Sequence, residues 1–151
     1  MPSKHQRIIT AVVERLETIL TTNGFETNVG TRVRDSKPNW QQADLPAISV
    51  FEMPTDAERA PDNSRHTIWL MGIQIKAFFE KGTDASYGRQ VIADIYKAIK
   101  VDEQWSDPNP VAVLSRPRRH GVEYDAESFE VAAANVEIEV MYQTEKFNLE
   151  Q

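Results

Sequence analysis

The sequence predicts an α+β fold, a mostly antiparallel β-sheet packed against two amphipathic helices in the order helix, three strands, helix, two strands (αβββαββ). Three observations predict it. Apolar residues recur at helical spacing in two stretches, one near the N-terminus and one past the middle. Between and after these stretches they alternate with polar neighbours, the period of a strand with one buried face. None of the eight prolines falls inside a long predicted element, as the missing proline N–H requires. Two apolar helical stripes need a surface to cover, and the sheet supplies it.

The first helix is predicted over residues 4–22. Ser3 followed by Gln6 has the form of a capping box, and Ile8, Ile9, Val12, Val13, Leu16, Ile19 and Leu20 form one face. Asn23-Gly24 supplies a left-handed stop. Phe25, Thr27, Val29, Thr31 and Val33 alternate as a first strand. Arg34 to Asp44 is a polar connection with Pro38 and Trp40, and Pro46 to Glu52 is a second strand. Met53 to Ser64 carries two prolines, several charges and little apolar content, which predicts a long exposed loop.

Arg65 to Lys81 is unusual. Trp69, Met71, Ile73, Ile75, Ala77 and Phe79 fall on one face of a period-2 ladder, and Ile68, Leu70, Gly72, Gln74, Lys76 and Phe78 on the other. Strands typically run about 5–6 residues, and this one reaches more than twice that. It calls for a partner, either its own hairpin mate or a neighbouring subunit. A second helix opens near Thr83 or Asp84, with Tyr87, Val91, Ile92, Ile95 and Ile99 on one face. Val101 to Pro110 is an acidic loop containing Trp105, Val111 to Ser115 a short strand, and Arg116 to Gly121 a turn of concentrated positive charge. The last strand covers Phe129 to Gln143, with Val136, Ile138, Val140 and Tyr142 facing one way and Glu137 and Glu139 the other.

The 151 residues make one domain, 1–151. A chain of this size buries roughly 70% of the surface its unfolded form exposes, enough for a core without staples. Cysteine is absent, which removes disulfides, thiolate metal sites and a Cys nucleophile. With 17 basic against 23 acidic residues the net charge is −6, and the pI is near 5.1. General nucleic-acid or anionic-membrane binders need the opposite balance. The apolar run Ile8 to Val13 is broken by Glu14 and Arg15, too short for a signal-peptide core of about 7–15 residues or a spanning helix of about 20. Met1 is therefore expected to be the true start of a soluble protein.

Enzymatic motifs are thin. Pro61-Asp62 followed by Gln74-Ile75-Lys76 has the pattern of Mg²⁺-dependent nucleases of the PD-(D/E)xK type, where clustered oxygens hold the cation and a lysine polarises water. The more ordinary reading is an acid in a charged loop and two residues on a solvated strand face. His5, His66 and His120 lie far apart, with no HExxH spacing. No GxSxG elbow backs a Ser–His–Asp triad. The six glycines make neither GxGxxG nor a P-loop. The Glu137/Glu139 pair has the pattern of a solvated edge. No catalytic constellation emerges from these residues.

Arg116, Arg118 and Arg119 form either a solvated turn or a docking contact for an acidic surface or phosphate. Residues 121–151 hold eight acids against Lys146, so basic turn and acidic segment are complementary between copies of one chain, as a head-to-tail ring contact requires. Trp69 is in strand register and reads as core, whereas Trp40 and Trp105 are either tucked onto the domain or kept for an interface.

Taken in order, these stretches resemble the tail terminator, or tail completion, proteins of long-tailed bacteriophages. The likeness is carried by the N-terminal helix closed by Asn23-Gly24, by Leu45-Pro46-Ala47-Ile48-Ser49-Val50-Phe51, and by the long strand with Trp69, Ile73, Ile75 and Phe79. It continues through the second helix with Ile92, Ile95 and Tyr96, and from Gly121 and Tyr124 into the alternating strand Ala133 to Tyr142. The resemblance implies a non-enzymatic virion subunit at the head-proximal end of the tail, without a cofactor. It implies a homo-hexameric ring that caps the tail tube, ends its polymerisation and offers a surface for head attachment. The partners implied are the tube protein and a head-completion or connector protein, with DNA passing through unbound and no membrane. Candidate interface residues are Trp40, Met53, Trp69, Trp105, Arg116, Arg118 and Arg119. A different neck or connector protein, the Mg²⁺ nuclease and a small-molecule-binding module of host origin are the alternatives.

Overall fold

A computed structural model describes residues 2–58, 64–80, 85–124 and 131–151. Helix α1 spans Lys4–Leu16. The Gln6 amide donates to Ser3 Oγ at 3.1 Å, but the Gln6 side chain turns to Thr10 instead, so half of the capping box forms. The helix ends at Leu16, and the apolar spacing runs past it because Ile19 is still fully buried after the chain has turned away. Gly24, at φ +88°, closes the short 3-10 turn Thr21–Asn23 that follows.

The predicted strand from Phe25 to Val33 is largely absent. The segment is pinned from outside: the Asp94 carboxylate accepts from the Thr27 amide at 2.8 Å, the Thr27 hydroxyl at 2.7 Å and the Glu26 amide at 3.2 Å. Gly30 then passes so close to the end of α1 that its N–H donates to the Ile19 carbonyl at 3.0 Å. Only Val33–Asp35 pairs as a strand, β1.

Strands β2 (Ala47–Ala57), β3 (His66–Glu80), β4 (Leu114–Tyr124) and β5 (Val131–Glu145), with helix α2 (Ala85–Ile99), complete the fold. The five-stranded sheet has the order β1-β2-β3-β5-β4. It is mixed: β1 runs parallel to β2, and the other neighbours are antiparallel. The long strand is as long as predicted and lies at the centre. It pairs with β5 from His66↔Glu145 to Glu80↔Val131 and with β2 from Trp69↔Ala57 to Phe78↔Ala47. Both of its edges are therefore satisfied within one chain.

Two predicted loops hold strand: the loop at 53–64 is strand over 53–57, with 59–63 outside the described residues, and the turn at 116–121 is strand throughout. β2 runs on through Ala57, with a bulge between Glu52 and Thr55 that absorbs Pro54. Arg116 to Gly121 is not a turn but the body of β4, bulged between Pro117 and Arg119. Composition misled in both places. β4 is an edge strand, and β2 has a free side beyond Val50, where β1 stops pairing; a backbone unpaired on one side tolerates proline and charge.

Both helices lie on one face of the sheet. Ile8, Ile9, Val12 and Leu16 of α1 and Val91, Ile95 and Ala98 of α2 share a core with Met71, Ile73, Ile75, Ala77 and Phe79 of β3 and Val136, Ile138 and Val140 of β5. Among the described residues no helix is long and apolar enough to cross a membrane.

Candidate protein-interaction surface

The alternation that puts the odd-numbered residues of β3 under the helices puts the even-numbered ones on the opposite face, where neither helix packs. Across this open face lie Ser49 and Phe51 of β2, Gly72, Gln74, Lys76 and Phe78 of β3, Glu137, Glu139 and Met141 of β5, and Arg116 and Arg119 of β4. Phe51, Met53, Leu70, Phe78 and Met141 are half-buried there.

The charges are organised by register. Arg119 sits opposite Glu137 and grips it bidentately, Nε at 2.6 Å and Nη2 at 3.0 Å. Arg116 sits opposite Glu139 and donates from Nε at 2.7 Å. The Glu137 side chain is only 4% exposed and its arginine 72%, so the acid is covered by its partner rather than solvated as its pattern predicted. The hydrogen bond to Glu137 raises the Arg119 pKa further. Two arginines of the predicted docking cluster thus meet their first acidic partners inside the chain. Lys76 pairs with Glu123 at 3.3 Å.

Arg118 differs. It occupies the bulge, and among the described residues it has no ion pair or hydrogen bond. Its Nη1 lies 3.6 Å from the point where a Cβ on Gly72 would stand, and Met53 fills the other side of that point, Cβ at 3.0 Å and Sδ at 3.4 Å. The guanidinium therefore reaches from β4 over β5 to the middle of the face, into the space that the missing Gly72 side chain leaves.

Trp40 also belongs to this side. Its loop folds back so that Nε1–H donates to Ser49 Oγ at 2.8 Å, with Lys37 Nζ 5.1 Å from the ring centre. The open face thus gathers Trp40, Met53, Arg116, Arg118 and Arg119, and the remaining two predicted residues lie elsewhere. Trp69 faces the helix side half-buried, donating to Thr144 Oγ1 at 2.9 Å. Trp105 is fully buried, donating to Ser115 Oγ at 2.9 Å under the Arg15 guanidinium. Phe51, Phe78 and Met141 were not singled out from sequence. Their signal was the second apolar row of the long strand and its neighbours.

Asp62 of the nuclease pattern lies outside the described residues. Among the described residues no group of three or more His, Asp or Glu is placed to hold a metal. The neighbours of Gln74 and Lys76 are Glu137 and Asn135 by register, and Lys76 is already paired.

No protein-family profile matches the sequence, and no curated protein matches it. Solved structures do. A chain from the virion of a native gene transfer agent particle superposes with a TM-score of 0.51 at 16% identity, over 94% of this chain and 92% of that one. At that identity the likeness is one of fold, and it extends over nearly the full length of both chains.

Proposed function

We propose that this protein is a structural subunit of a phage-type virion. The supporting observation is that nearly the whole chain shares its fold with nearly the whole of a virion chain. Within that class we assign it to the tail terminators: a homo-hexameric ring that seals the head-proximal end of the tail tube, stops its growth and receives a head-completion or connector protein. The order of sequence stretches that resembles this family supports the finer assignment, as does a sheet whose one face carries charge and half-buried apolar side chains with no helix over it among the described residues. The net charge of −6 suits a channel that DNA must traverse without adhering.

The test is electron microscopy of the purified protein mixed with growing tail tubes. Rings at one tube end, with elongation halted, are the expected result. Tubes that lengthen unchanged with bare ends overturn the assignment, and binding to portal-side rings instead makes the protein a neck component.

A further inference from the structure

Among the described residues the large apolar side chains left exposed are Val101, Val113, Leu114, Phe147 and Leu149. They fall into two groups. Phe147, 93% exposed, and Leu149 stand on the turn after β5. That turn is tied down: the Lys146 amide donates to the Arg65 carbonyl at 2.9 Å, the Asn148 amide to the Glu145 carbonyl at 3.0 Å and the Lys4 amide to the Leu149 carbonyl at 2.9 Å. Phe147 is held at φ +64°, a conformation that disfavours a bulky side chain. A strained, fixed backbone thus presents a phenyl ring to water.

The second group flanks a cavity of about 240 Å³ between the end of α2 and β4, with Tyr96, Ile99, Pro117 and Ile138 as its apolar lining. Val101 follows the lining residue Lys100, and Val113-Leu114 precedes the lining residue Ser115. The cavity is below the roughly 300–1,000 Å³ of small-molecule sites, which favours a single side chain. An aromatic ring against Tyr96 adds an edge or stacking contact to the burial.

The charges match as well. Lys100, Arg116 and Glu103 line the cavity, and Glu145, Glu150 and Lys146 surround Phe147 in the chain. Arg116 is already paired with Glu139, so Lys100 and Glu103 are left to face Lys146 and the two acids. The ring cannot reach its own cavity. Ile138 and Glu145 are seven residues apart along β5, about 23 Å at strand rise, and the turn beyond is tied in place.

We infer that Phe147 of one copy inserts into the cavity between α2 and β4 of a second copy. Knob and hole are different surfaces, so the contact is head-to-tail and propagates to a closed ring or an open filament. The edges of the sheet are β1, only three residues long, and β4, which carries a proline and a bulge, so edge-to-edge strand pairing is disfavoured for the same purpose. The inference deepens the self-assembly part of the proposed function.

The chain lacks cysteine, which permits a direct test. Phe147→Cys protein is mixed with Lys100→Cys protein at high concentration and oxidised. Mixed disulfide dimers are expected, and the double variant should give a ladder of multimers. No mixed product, or Phe147→Cys linked only to itself, overturns the inference. In a second arm, Phe147→Gly relieves the backbone and removes the ring. Its Tm should hold or rise while self-association in sedimentation weakens about thirtyfold, the loss of one strong aromatic anchor. Unchanged self-association overturns the contact. Tube capping by the unaltered protein is scored separately, so a failed contact and a failed functional assignment give different results.

Discussion

Asp94 is 2% exposed and serves three donors of the Glu26–Thr27 segment. Replacing it by alanine leaves those groups without an acceptor, and Asp94→Ala should cost about 2–4 kcal/mol in denaturant unfolding. Asp94→Asn should recover part of the loss. The Arg118 and Arg119 side chains make opposite predictions. Arg118→Glu breaks no ion pair and should change stability within about ±0.5 kcal/mol, so any effect it has on docking is read cleanly. Arg119→Glu places an acid against covered Glu137 and should lower Tm clearly further. Tyr142, 1% exposed, has its pKa pushed up to about 12 by burial, with Glu52 nearby adding to the shift. Its ordinary value is 10.0. A raised value means that the Tyr142 contribution is whole below pH 10 and is lost as pH climbs toward 12. Tyr142→Phe should flatten that alkaline fall in Tm, and the hydroxyl it deletes shares a hydrogen bond with His5 Nδ1 at 3.2 Å, worth about 1 kcal/mol at neutral pH.

At the scale of elements, close approach decides the irregular stretch between α1 and β2. A Cβ on Gly30 would meet the backbone carbonyls of Leu16 and Ile19, the latter at 2.8 Å. Backbone cannot yield as a side chain can, so Gly30→Ala should destabilise by about 1–3 kcal/mol on thermal unfolding. Ile95 is fully buried on α2, and Ile95→Ala should cost about 2–5 kcal/mol. These elements also show what the sequence could carry. Both helices, the central strand and its two-faced alternation were legible, because burial on one side imposes a period. The segment 25–33 was not, because it alternates like a strand but takes its hydrogen bonds from Asp94, some 67 residues away. The edge strand around Arg116 to Gly121 was hidden by the proline and charge that its free edge permits. Five of the seven predicted interface residues share the open face, yet the pairing of Arg116 and Arg119 with Glu139 and Glu137 depends on register. A one-residue slip, invisible in composition, would have left all four apart.

For the whole molecule, a two-layer arrangement leaves one side of a five-stranded sheet without a covering helix among the described residues. If that side meets the tail tube or a connector, Arg118→Glu combined with Met53→Asp should abolish tube-end binding in pull-down and microscopy while Tm moves little. A large fall in Tm with intact binding would assign both residues to folding instead. Binding that weakens with added salt would mark the arginine as an electrostatic contributor, since exposed charges are screened over about 8–10 Å at moderate ionic strength.

The pairing of β3 with β5 joins residues 66–80 to residues 131–145. During synthesis on the ribosome, β3 emerges some fifty residues before the mate for its second edge, and the ladder cannot close until residues 131–145 have been translated. Folding is thus weighted toward a late, long-range step. A nascent chain halted at residue 124 would present a fifteen-residue apolar edge with nothing beside it. Such a truncation should accumulate in inclusion bodies, whereas supplying the missing final segment in trans should return it to the soluble fraction.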